Sequence, residues 1–318
     1  MKKTKSHSSQ IVFNKPRAKD VLGSLNRAYK EQKQLFAHVT REENAPQQKF
    51  FPYGVERGDV EHRRWLFFAT MTDRREMSNV VYESHARLWE REPRLYFEEV
   101  LGMSSPEILK TLTREKVGVP RQSAEYWQRS ARTLFESFEG DPLTIYQKLE
   151  SVNGILRFSK GGRGNQKGLL PGFGPKILSL LALFYGELKL MQIPGDAFPV
   201  DVHVQRFAIS TGIVTAETPT VRSYEIERVL RPFLCNMCME EGWKPLDLSH
   251  ALWFLGNKCC SGCCRNAVAK LLCPSYEMCG GAVSTHSYFR QGRWDLTSPR
   301  YRRGGDCSFS LPPSPMFP

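Results

Sequence analysis

Residues 176 to 191 carry apolar side chains on nearly every face of the helix that their spacing predicts. A helix of that kind has no solvent face, so it needs a shell of other elements around it. The rest of the chain supplies helices to build that shell. Residues 17 to 36 place Val21, Leu22, Leu25, Tyr29 and Phe36 near one face, and residues 62 to 90 read as two further helical pieces. Ser104, Ser105, Pro106 and Glu107 form a capping-box start with proline just inside the helix. Trp127, Ala131, Leu134, Phe135 and Phe138 repeat at helical spacing. Asp141 and Pro142 open another helix, whose inner face carries Ile145, Leu149 and Val152. Residues 202 to 211 and 221 to 234 are two more, with Gly212 as the stop for the first. Residues 37 to 60 read as irregular. No alternating strand pattern and no internal repeat stands out, so the expected fold class is all-α.

Charge narrows the partner. The chain of 318 residues has 45 lysines and arginines against 33 acids, a net charge of +12. Such an excess suits a polyanion, because each basic side chain beside a phosphate releases a condensed counterion. An unspecific basic surface is the plain alternative. Apolar residues make up 41%, enough for a real core. No apolar run approaches the length of about 18 residues that signals a membrane span. The basic start lacks the apolar segment of a signal peptide, which leads to an expected cytoplasmic location, nucleoid-associated in a prokaryote.

Residues 168 to 176 read GLLPGFGPK. Gly172 and Gly174 make a tight turn that leads at once into the apolar helix, and Pro175 suits the first helical turn. Backbone N–H groups near these two glycines can face an anion such as a DNA phosphate, aided by the helix dipole. An ordinary helix–helix turn is the competing reading. The preceding stretch, SKGGRGNQKG, adds Lys160, Arg163 and Lys167 as phosphate contacts or as solvated loop charges. Further on, residues 198 to 206 read FPVDVHVQR.

LPGFGPK followed by VDVHVQR resembles the helix-hairpin-helix DNA glycosylases, the superfamily that includes endonuclease III and 8-oxoguanine glycosylase. LFFATMTD at 66 to 73 is similar to the segment that opens the catalytic domain of that family. VGVPRQSAEYWQRSARTL at 117 to 134 is similar to its central helix. The resemblance covers roughly residues 60 to 280. It implies Lys176 as the nucleophile of a bifunctional enzyme and Asp201 as the essential aspartate. The carboxylate would stabilise positive charge growing on the sugar once the base is flipped out. The amine would form a Schiff base and permit elimination of the 3′ phosphate, for which burial at a helix end would lower its pKa. Lys176 as a phosphate contact and Asp201 as a helix N-cap are the structural alternatives. Three departures stand out. Lys176 and Asp201 lie 25 positions apart (201 − 176), a longer connection than is usual in the family. Thr70 replaces a glutamine that helps fill the gap left by the flipped base, and Ser123 replaces a lysine of the central helix. His203, two positions beyond Asp201, reads as structural, and Trp127 and Trp253 as core.

Six of the nine cysteines lie between residues 259 and 279. Outside a secreted protein such crowding points to metal rather than disulfides. The terminal loop of endonuclease III and its relatives holds a [4Fe–4S] cluster on four cysteines. Gly256 before Cys260, and Cys273-Pro274 followed by Cys279, match that loop, while its second position falls on Lys270. The implied ligands are Cys260, Cys263, Cys273 and Cys279, with Cys259 and Cys264 as substitutes. Zinc is the rival, held by the pairs Cys235 and Cys238, and Cys260 and Cys263.

The expected organisation is a loose N-terminus over 1 to 15 and an N-terminal helix over 16 to 59 that joins a second lobe. A helical bundle with the hairpin spans 60 to 195. The second lobe with the cysteine cluster spans 196 to 283, and a disordered basic tail spans 284 to 318. The resemblance implies a cleft between the lobes that brings Lys176 and Asp201 together. It implies a monomer acting on duplex DNA with a damaged or mismatched base. A monofunctional glycosylase using water activated by Asp201, and a non-catalytic hairpin DNA-binding protein, are the alternative functions.

Overall fold

Asn14, Asp59, Ser104, Asp141, Ser151 and Asp201 each stand where a helix begins, and each accepts a first-turn backbone N–H with its side-chain oxygen. These caps satisfy donors that the helix itself leaves without partners. In the computed structural model, residues 11–39, 41–73, 77–160, 168–258, 271–279, 285–286 and 292–296 are described. In chain order they form strand β1 (Ile11–Phe13) and helix α1 (Lys15–Lys30), then the short helices α2 (Arg41–Asn44) and α3 (Pro46–Lys49). Next come α4 (Val60–Thr72), α5 (Ser78–Arg91), α6 (Ser105–Arg114), α7 (Pro120–Phe138), α8 (Pro142–Leu149), α9 (Val152–Ser159) and α10 (Pro175–Glu187). Then follow α11 (Val202–Ser210), β2 (Val214–Ala216), β3 (Thr220–Arg222), α12 (Ser223–Glu241), α13 (Pro245–Lys258), β4 (Thr285–His286) and β5 (Arg293–Asp295). The chain divides into one unit made of residues 1–39 and 200–318 and another made of 40–199.

The unit of residues 40–199 is built around α10. Ile177, Leu178, Leu181, Ala182, Leu183, Phe184 and Tyr185 are buried, as an all-apolar helix requires. Its neighbours place Phe68 and Trp127 in a parallel stack at 4.5 Å between ring centroids. Three buried polar tips donate to backbone carbonyls: Tyr146 Oη to Leu178 O at 2.6 Å, Tyr185 Oη to Arg63 O at 3.1 Å and Trp127 Nε1 to Leu95 O at 2.7 Å. Arg63 grips both oxygens of Asp141 through Nε at 2.8 Å and Nη2 at 2.7 Å, which ties α4 to the start of α8. The capping box at Ser104 and Glu107 forms as its sequence predicts.

The unit of residues 1–39 and 200–318 packs α1, α11, α12 and α13 together. Gly256 of α13 lies so close to His203 of α11 that a Cβ there would stand 2.4 Å from the His203 Cβ. Only glycine admits that approach. Phe13 stacks on Phe233 at 4.4 Å, and Lys15 and Lys19 pair with Glu240 and Glu241.

Some expectations need correcting. The helix expected over 17 to 36 ends at Lys30, and Gln34–Ala37 forms a separate tight helical turn. The helix after Asp141 does not carry Leu149 and Val152 on one continuous face. Glu150, at φ +60°, breaks it, and Ser151 caps a new helix. The mostly helical fold class holds, with a few short strands beside it: β1 pairs with β2, and β3, β5 and β4 form a small antiparallel sheet. Strands of two or three residues are too short for alternation to register in a sequence. Part of the expected disordered tail supplies that sheet, with Trp294 fully buried, while Trp253 is only half-buried rather than core.

Candidate active site

Helix α9 comes before the turn 168–174, and α10 follows it at once. Gly168 and Gly172 take φ of +68° and +98°, which side-chain-bearing residues adopt only with strain. Gly174, at φ −84°, is the N-cap of α10, Pro175 is the first helical residue and Lys176 the second. The turn closes on itself through Phe173 N–H donating to Leu170 O at 3.3 Å and Gly174 N–H to Gly172 O at 3.2 Å, so the Gly174 N–H expected to face an anion is used within the turn. Leu170 and Phe173 point inward, and Phe173 stacks on Phe67 of α4 at 4.4 Å.

The carbonyls of the turn are held from outside. Thr133 Oγ1 donates to Leu169 O at 2.6 Å, Ser130 Oγ to Pro171 O at 3.2 Å and Ser159 Oγ to Leu170 O at 3.2 Å. Arg129 donates to Gly168 O. Carbonyls taken up this way turn the hairpin into a fixed platform. Sequence reasoning missed Arg129, Ser130 and Thr133. The signal was there: Ser130 and Thr133 are polar residues one turn apart, set into the apolar stripe of α7, and both are buried.

Lys176 is half-buried, on the first turn of α10 and close to the turn glycines. It is less enclosed than the expected burial at a helix end. Lys160 ends α9 with its side chain exposed, and its N–H donates to Leu156 O at 3.3 Å. Arg163 and Lys167 lie outside the described residues.

Asp201 begins α11. Its Oδ1 accepts the N–H groups of His203 and Val204, both at 2.9 Å, so the capping role exists. Among the described residues Oδ2 makes no hydrogen bond, which leaves one carboxylate oxygen for another task. His203 is held by its contact with Gly256. Its Nδ1 is buried without a partner among the described residues.

The long connection between Lys176 and Asp201 is folded against its own unit. Ile193 fills the notch at Gly186 on α10, where a Cβ would stand 2.3 Å from Ile193 Cγ1. Asp196 accepts Val152 N–H at 3.0 Å and Asn153 N–H at 2.8 Å, capping α9 a second time. This connection thus packs along α9 and α10.

Behind the LFFATMTD-like segment lies a buried polar chain. Thr72 Oγ1 meets His85 Nε2 at 2.7 Å, and His85 Nδ1 meets Tyr96 Oη at 2.8 Å. Burial pushes His85 down to about 3. Thr70 is fully buried beside the Tyr82 hydroxyl at 3.3 Å, so it faces the core. Ser123 is also buried, at the start of α7.

Of the implied metal ligands, Cys273 and Cys279 flank a tight turn in which Tyr276 N–H donates to Cys273 O at 3.1 Å and Cys279 N–H to Tyr276 O at 3.2 Å. Cys260 and Cys263, with Cys259 and Cys264, lie outside the described residues. Cys235 and Cys238 of the zinc alternative sit inside α12, both buried. Burial, and then Cys235, push the Cys238 thiol up to about 12. Among the described residues no three His, Cys, Asp or Glu side chains gather as a metal site. Cys273 and Cys279 thus lie on one short turn, and Cys235 and Cys238 one helical turn apart inside α12.

Neither a family model nor a curated protein matches the chain. Among solved structures it is similar to a Methanocaldococcus jannaschii 8-oxoguanine glycosylase/lyase in complex with DNA containing 8-oxoguanine. The identity is 14%, the TM-score 0.47, and the match covers 74% of this chain and 96% of that one.

Proposed function

We propose that this protein is a DNA glycosylase of base excision repair with an associated abasic-site lyase activity. The observation that carries the reading is the hairpin. Two turn glycines, held by the polar side chains of α7, lead into a helix whose second residue is Lys176. With the Phe173 and Gly174 N–H groups taken up inside the turn, it is the first turn of α10 that would meet a DNA phosphate, and such a contact fixes position without reading sequence. It would set the Lys176 amine at a fixed distance from the backbone it grips.

In this reading the Lys176 amine attacks the sugar carbon as its bond to the flipped base breaks. The base leaves with the bonding pair and takes up a proton. The lysine nitrogen gives up protons as the sugar ring opens to a Schiff base. Loss of a neighbouring sugar proton then expels the 3′ phosphate, and water hydrolyses the imine and returns the amine. Asp201 keeps one oxygen on the helix cap and offers the other to the positive charge that develops on the sugar. A [4Fe–4S] cluster on Cys260, Cys263, Cys273 and Cys279 completes the proposal. Such a cluster supplies a structural brace, and these thiolates would hold it.

Borohydride trapping on a lesion-bearing duplex tests the reading. The wild-type chain should become covalently linked to DNA, and Lys176→Gln should lose both the crosslink and strand cleavage. Base release without any crosslink would instead identify a monofunctional enzyme in which Asp201 activates water. A crosslink that survives Lys176→Gln would move the nucleophile elsewhere.

A further inference from the structure

Arg222 and Arg293 are direct cross-strand partners in the small sheet of β3, β5 and β4. Directly opposed residues of antiparallel strands point to the same face, with Cβ atoms about 5 Å apart. Both arginines are exposed, so two positive side chains share one solvent-facing position. Like charges placed this way destabilise a sheet. An anion lying across both guanidinium groups removes that penalty and turns the pair into a double fork of donors.

The surroundings fit such a ligand. The two arginines line a surface depression of about 700 Å³ together with Ser223, Tyr224, Glu227 and Gly292. Tyr224 is 55% exposed, and its hydroxyl accepts from Arg222 Nη1 at 3.1 Å, which steadies one guanidinium. Glu227 is the one acid among these lining residues, leaving them net positive. The other face of the sheet is anchored. Val221 and Trp294 are buried, and Trp294 Nε1 and Ser223 Oγ both donate to Gln205 Oε1 at 2.8 Å. Gln205 belongs to α11, the helix that Asp201 caps, so the arginine pair is rigidly linked to that helix.

We infer that Arg222 and Arg293 together form a phosphate-binding clamp for the backbone of duplex DNA, separate from the hairpin. This rests on the DNA-processing reading above, which supplies the polyanion, while the clamp itself stands on the paired arginines and the depression they line.

The test is the salt dependence of binding to an undamaged duplex by the full chain. Removing one charged side chain from a phosphate should make the slope of log K against log salt shallower by about 0.9. Arg222→Gln with Arg293→Gln should therefore flatten it by about 1.8 relative to wild type. Lys15→Gln with Lys19→Gln removes the same charge from the same unit and should leave the slope close to wild type. Equal flattening by both double variants would reduce the effect to net charge and overturn the clamp. An unchanged slope in the arginine variant would overturn it too, while steep salt dependence in the wild type would leave the DNA-processing reading standing. A wild-type chain that shows no salt-dependent duplex binding would remove both. Thermal melting at low salt checks folding, and the arginine variant should melt no lower than wild type, because a like-charge pair has been relieved.

Discussion

Asp201 caps α11, and the proposed function gives the same carboxylate a chemical task; a single substitution separates the two. Asparagine caps a helix about as well as aspartate, so Asp201→Asn should keep the fold and its melting temperature. It should abolish base release while duplex affinity stays nearly unchanged, measured by excision and binding assays on one substrate. Asp201→Ala should lose release and also about 1 kcal/mol of stability from the missing cap. His85 makes a different residue-scale prediction. Its folded pKa of about 3, like the value of about 4 for buried His62, lies below the value near 6.5 of an unfolded histidine. Between those limits the unfolded chain binds protons that the native chain does not, so stability must fall as pH falls. The contribution is complete above about pH 6.5 and erodes below it. Urea unfolding at pH 7.5 and pH 5 should therefore show a lower midpoint at pH 5, and equal midpoints would contradict the burial of these rings.

At the scale of elements, the hairpin owes its shape to glycine at two positions and to the grip of α7. Gly172 sits at φ +98°, so Gly172→Ala should cost about 1–3 kcal/mol by denaturant unfolding and weaken duplex binding as the turn distorts. Removing both hydroxyl clamps with Ser130→Ala and Thr133→Val should cost about 1 kcal/mol for each hydrogen bond. Excision should slow more than this modest loss of stability would suggest, because the lysine platform loosens. Much of this was legible in the sequence. GFGPK specified a turn and a helix start, Asp201 before an apolar run specified a cap, and Ser104 with Glu107 specified a capping box. What the sequence does not show depends on contacts between elements. Nothing local marks Thr133 as the partner of Leu169, or Gly256 as the seat of His203. The three-residue strand around Trp294 has no periodicity to reveal it. It pairs with β3 and β4 and is anchored by Gln205, far away in the chain, which accepts the indole N–H. Similarly, the longer link after Lys176 gains its place only once Ile193 meets Gly186 and Asp196 meets α9.

For the whole molecule, the proposed enzyme draws on the net charge of +12, on the hairpin in one unit and on the Asp201-capped helix with its arginine pair in the other. The proposed cluster adds a check on the intact chain. Protein purified without oxygen should be brown, with absorbance near 400 nm and about four irons per chain. Colourless protein with stoichiometric zinc would replace the cluster by the rival metal. The central claim is excision itself, and its most direct measurement is release of free base from a panel of duplexes, each carrying one lesion or mismatch. The intact chain should release one class of base, leaving an abasic site or a nicked strand, and Asp201→Asn should release none. A chain that binds every duplex and releases no base from any of them would contradict the account and leave a hairpin protein that only holds DNA.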